Sequence, residues 1–235
     1  MAVRIAANLY RLPTLGQFIN SYAVINSDSS VTLIDCGLEG SSKRLIKDLA
    51  TIGKHPKDVM NIVLTHAHDD HIGGAAQMIN VCEVKNVLMH EDDSHLPPTG
   101  RTPSRDDSRL SGKIMKILPE RKYEPFSVTK RLKDGEVIDA AGGLKVIHTP
   151  GHTSGHISLL HLESETLITG DSIFNMTSRI TWALSGFCVN FNQSKETAKR
   201  FLDLDFKNAC FTHGPEIRDV GKQKIKQFLS KKGLN

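Results

Sequence analysis

Between Thr65 and Gly74 the chain reads T-H-A-H-D-D-H-I-G-G, placing His66, His68, Asp70 and His71 within six residues. Imidazole and carboxylate are the side chains that bind first-row divalent metals, zinc above all. The apolar run Ile62-Val63-Leu64 precedes them, so they fall on a loop at the end of a strand. In an extended loop, residues i and i+2 share a side, which lets His66 and His68 share one ion. Asp70 and His71 point onward to a second position.

Three more ligand-type residues stand in the same local setting. His152 lies in T-P-G-H-T-S-G-H after Leu144 to Ile147, Asp171 ends T-L-I-T-G-D, and His213 follows A-C-F-T. A lone His at a strand end is more often a hydrogen-bonded structural residue than a ligand. Four strand ends presenting His or Asp toward one sheet edge point instead to a metal centre. Such a centre acidifies a bound water and polarises a carbonyl or phosphoryl group, so no protein nucleophile is required. The chain has no G-x-S-x-G, and its four cysteines form no C-x-x-C pair.

With these residues in place the chain resembles the metallo-β-lactamase superfamily, whose pattern is H-x-H-x-D-H followed by a distant His, Asp and His. The resemblance runs from the first strands to His213. It implies a four-layer αβ/βα sandwich, an α/β fold, forming a single domain over 1–235. It also implies two Zn²⁺ per chain, with His66, His68 and His152 holding one and Asp70, His71 and His213 the other. Asp171 would bridge them, and Asp70 and Asp171 are the expected catalytic carboxylates. His and Asp sites also accept iron or manganese. Asp35, ending V-T-L-I-D, would by resemblance accept from a ligand imidazole; a strand-end turn carboxylate is the alternative. His156 reads as structural, His55, His95 and His161 as surface residues, and His90 as a strand end outside the ligand set.

Differences from particular branches narrow the substrate. Asp171 is followed by S-I-F-N-M-T-S-R, unlike the G-C-G-R-like segment of the glyoxalase II and persulfide dioxygenase branches. Phe174 stands where acyl-homoserine lactonases commonly place a Tyr, and His68 stands where flavodiiron proteins carry Glu. The surroundings look most like the small hydrolases of the superfamily, some with lactonase or weak β-lactamase activity. The expected function is metal-dependent hydrolysis of a small ester, thioester, lactone or lactam by a metal-bound hydroxide. The alternatives are a metal-dependent phosphodiesterase or nuclease and a mononuclear-iron dioxygenase.

The rest of the sequence supplies elements to carry these residues. Its 235 residues, 39% hydrophobic, suffice for a large buried core. Expected elements are a hairpin at 21–26 and 31–35, a helix at 41–52, a strand at 62–64 and a helix at 72–79. Strands follow at 84–89, 127–132, 144–148, 157–161, 166–169 and 209–212, with helices at about 194–202 and over the amphipathic C-terminal stretch. The segment 91–125 holds five of the nine prolines and reads as an irregular, lid-like insertion, helical only at about 108–118.

Net charge is +4, and the stretch Arg101 to Lys133 alone carries ten Lys or Arg against four Asp or Glu. That is a solvated face or a basic rim for small anions, and it is interrupted too often to make a groove for a polyanion. A small-molecule substrate is therefore expected and nucleic acid is not. No secretory signal or membrane span is expected from the sequence, and scattered cysteines point to a cytoplasmic location.

Overall fold

The computed structural model describes residues 1–105, 110, 112–113 and 122–234. The expected helix at about 108–118 lies largely outside the described residues. A seven-stranded sheet takes its strands in chain order: β1 (Val3–Arg4), β2 (Leu9–Leu15), β3 (Ile19–Ile25), β4 (Val31–Ile34), β5 (Val59–Leu64), β6 (Asn86–His90) and β7 (Lys130–Leu132). The second sheet comprises β8 (Val137–Ile138), β9 (Leu144–His148), β10 (Ile157–His161), β11 (Thr166–Ile168) and β14 (Asn208–Cys210), ordered β14-β11-β10-β9-β8. A two-stranded ribbon, β12 (Ile173–Phe174) with β13 (Thr181–Trp182), lies between β11 and β14 in the chain.

Side-chain alternation builds the layers. In β5, Val63 joins Tyr22, Val146, Leu159 and Ile168 in the core between the two sheets. Its neighbours Ile62 and Leu64 face the other way, onto Leu45 and Leu49 of α1 (Ser42–Thr51) and Met78 of α3 (Ala75–Cys82). The second sheet repeats the device: Leu160, Leu167 and Ala209 face outward onto Phe201 and onto Ile225, Phe228 and Leu229 of α5 (Gly221–Lys231). The result is helix, sheet, sheet, helix, the expected four layers.

Strands β4, β5 and β6 run parallel, as do β11 and β14, so each group delivers its C-terminal ends to one edge. The helix expected at 72–79 is two pieces, α2 (Asp69–Ile72) and α3, interrupted at Gly73-Gly74. A Cβ on Gly74 would lie 2.4 Å from the Cys36 carbonyl oxygen, and one on Gly73 2.6 Å from the Glu39 N. These glycines thus permit close approach to the loop after β4. The helix expected at 194–202 begins earlier, as α4 (Phe191–Thr197), and tightens into a 3-10 turn at Ala198–Asp203. Ile217 precedes α5 and pairs with Ala209 through two backbone hydrogen bonds of 2.8 Å. His161, expected at the surface, is buried, with its ring nitrogens on Ser164 Oγ at 2.6 Å and the Ala141 carbonyl at 2.7 Å. Among the described residues no helix is long and apolar enough to cross a membrane.

Candidate metal centre

All seven residues singled out by type and spacing converge at the strand ends. His66 Nε2 lies 3.0 Å from His68 Nδ1, which lies 2.9 Å from His152 Nε2. A second group unites Asp70, His71 and His213, and a third unites His66, His71 and Asp171. Asp171 sits between the first two: its Oδ2 is 3.2 Å from His152 Nε2 and 3.3 Å from His213 Nε2, and its Oδ1 is 3.3 Å from His71 Nε2.

The opposite ring nitrogens of His66, His71, His152 and His213 have partners that orient the imidazoles. Asp35, held at φ 57°, accepts from the Thr65 N–H and hydroxyl, each at 2.8 Å, and from His71 Nδ1 at 2.8 Å. Because the Thr65 hydroxyl donates to Asp35, its oxygen accepts from His66 Nδ1 at 3.0 Å, leaving His66 Nε2 a lone pair that faces the centre. His213 Nδ1 donates to the Phe18 carbonyl at 2.5 Å, and His152 Nδ1 lies 3.5 Å from Cys188 Sγ. His156 bonds Thr149 through Nδ1 and accepts the Asp171 N–H at 2.7 Å, the structural part expected of it. His90 stacks on His148 at 3.8 Å and groups with Asp92, apart from the seven residues.

Electrostatics separate the two clusters. Burial, with His71 and His152 as neighbours, holds His66 and His68 well below the usual imidazole value. Burial would lower His71 and His213 too, but Asp171 and Asp70 outweigh it and raise both. Burial would raise Asp171, yet His213, His71 and His152 keep it well below the usual carboxylate range. The buried His71 Nε2 makes no hydrogen bond of acceptable geometry, despite its 3.3 Å separation from Asp171. An orphaned imidazole nitrogen, and further imidazole nitrogens crowded face to face, fit a divalent cation.

Sequence reasoning does not single out Asp93. It is 1% exposed, and its carboxylate accepts from Ala67 N at 3.1 Å, Thr153 Oγ1 at 2.6 Å and Gly155 N at 2.7 Å. Ala67 separates His66 from His68, and Thr153 follows His152, so one carboxylate clamps both loops of the first cluster. The available signal is its place just beyond β6, a strand parallel to the one that ends in the His loop. A cavity of about 420 Å³ opens over the centre, reaching His68, Asp70, His152, Asp171 and His213.

A family model described as the metallo-beta-lactamase superfamily matches residues 15–213. The uncharacterized protein YobT of Bacillus subtilis (strain 168) is 31% identical over 225 residues, 91% of this chain and 90% of its own. Hydroxyacylglutathione hydrolase GloC of Haemophilus influenzae is 27% identical over 168 residues, 71% of this chain and 72% of its own. Among solved structures, the metallo-beta-lactamase family protein TTHA1429 from Thermus thermophilus shares the fold with a TM-score of 0.73 at 24% identity, covering 98% of this chain and 81% of that one. The matched span contains all seven converging residues, and the chain belongs to the metallo-beta-lactamase superfamily.

Proposed function

We propose that the protein is a binuclear zinc hydrolase acting on a small ester, thioester, lactone or lactam. The observation that carries this reading is the position of Asp171, whose two oxygens face nitrogens of both clusters at 3.2–3.3 Å. His66, His68 and His152 would hold one ion, Asp70, His71 and His213 the other, with Asp171 shared. When bound, such ions acidify water and polarise the carbonyl under attack. Asp70, its side chain 27% exposed and lining the cavity, would take a proton and pass it toward the leaving group. Asp171 keeps its orientation through the Thr212 hydroxyl, which donates to Oδ1 at 2.7 Å. Asp35 and Thr65 hold His71 and His66 in the tautomers that present Nε2 inward.

Arg105, within the segment 91–125, lines the cavity, so that segment reaches the site at this residue. The four cysteines are buried thiols, which supports a cytoplasmic protein. Metal analysis of the purified protein, joined to a panel of lactone, thioester, β-lactam and phosphodiester substrates, tests the function. Two zinc ions with carbonyl hydrolysis are expected; a saturated protein holding two ions that cleaves only phosphodiesters overturns it.

A further inference from the structure

Beside the metal-ligand residues the cavity lining is largely apolar. Leu15, Phe18, Met176 and Leu184 line it while remaining 53%, 57%, 40% and 58% exposed. They are four of the ten large hydrophobic side chains exposed among the described residues, gathered around one opening. Scattered exposed apolar residues need no explanation, but a cluster bordering a polar centre marks a surface that a ligand covers. Phe187 extends the same wall, with the Arg105 guanidinium 5.4 Å from its ring centroid.

Three chain segments supply this wall: the β2–β3 turn, the ribbon region and the 3-10 turn at Ser185–Phe187. The Phe18 carbonyl bonds His213, which ties the backbone of this turn to the second cluster. These side chains and Asp171 line one and the same cavity.

We propose that the substrate is an ester or thioester with an extended apolar acyl chain, which lies along Leu15, Phe18, Met176 and Leu184 while its carbonyl faces the metal centre. The proposal rests on the hydrolase reading. In the reaction, water oxygen bonds to the acyl carbon, the bond to the leaving oxygen or sulfur breaks, and that atom departs with a proton. Burying each methylene against such a wall raises kcat/KM about three- to four-fold until the wall is covered.

The test uses the zinc-loaded full chain and thiophenyl esters from acetyl to decanoyl, with S-lactoylglutathione as a polar, charged comparison. Expected is a steep rise in kcat/KM with chain length, and a decanoyl-to-acetyl ratio that falls at least ten-fold in Phe18→Ser and in Leu184→Ser. Far-ultraviolet circular dichroism and bound zinc establish that each variant is folded and loaded. A flat chain-length series, an undiminished ratio in both folded variants, or preference for S-lactoylglutathione overturns the acyl-chain proposal. Failure of the two-zinc protein to cleave any carbonyl substrate overturns the hydrolase reading itself.

Discussion

Replacing Asp93 by Ala removes one acceptor group from three donors at once. Ala67 N–H, Thr153 O–H and Gly155 N–H point at its carboxylate from 3.1, 2.6 and 2.7 Å. Hydrogen bonds to a charged group contribute about 1.5–3 kcal/mol each, and a buried donor left unsatisfied costs about 1–3 kcal/mol. Burial raises the Asp93 pKa, so relief of carboxylate desolvation offsets part of the loss. The net expectation is a loss of about 3–5 kcal/mol for Asp93→Ala. Asp93→Asn keeps the side-chain shape and one acceptor, but its amide nitrogen must face either the Ala67 or the Gly155 N–H, so a loss of about 2–4 kcal/mol is expected. Urea unfolding of the metal-loaded and metal-free protein measures both, and chelator competition follows release of each ion. The ion at His66, His68 and His152 should be lost first, since the clamped loops carry those residues. Stability of Asp93→Ala within about 0.5 kcal/mol of wild type, with unchanged zinc retention, would refute the clamp.

Asp171→Ala should weaken both ions and abolish hydrolysis, while His213→Ala should cost one ion preferentially; zinc analysis by plasma emission distinguishes them, and two retained ions with normal turnover in Asp171→Ala would reject the shared carboxylate. Zinc uptake at Asp70, His71 and His213 should release protons near neutral pH because His71 and His213 sit above the usual imidazole value, and calorimetry in buffers of different ionisation enthalpy counts them. In the metal-free protein, His66, His68 and His156 have depressed folded pKa values, His156 at about 3. The unfolded chain then binds more protons below pH ~6.5, so their contribution is present above that pH and lost as pH falls toward ~3, which urea midpoints across that range measure.

The seven converging residues are legible because type, spacing and strand-end placement agree. The hairpin β3–β4 and α1 follow from clean periodicity. Strand β2 is not expected, since Pro13 interrupts L-Y-R-L-P-T-L; the structure accommodates it at a register shift against β3 between Pro13 and Leu15. The two-residue strands of the ribbon carry too little pattern to read. Asp93 escapes notice because its partners are two backbone N–H groups and a hydroxyl from loops far apart in the chain. His161 looks like a surface residue because its partners, Ser164 and the Ala141 carbonyl, are brought to it by the turns around β10.

Phe18 offers two different surfaces to the same site: its ring borders the cavity, and its carbonyl receives His213 Nδ1–H. If the proposed acyl site and metal centre hold, whatever moves that turn acts on acyl recognition and on zinc affinity together. By thermodynamic reciprocity, a ligand that orders the turn tightens the second ion, and loss of that ion loosens the ligand by the same factor. A change in the turn that adapts the protein to a new acyl group would bring with it a new requirement for metal supply.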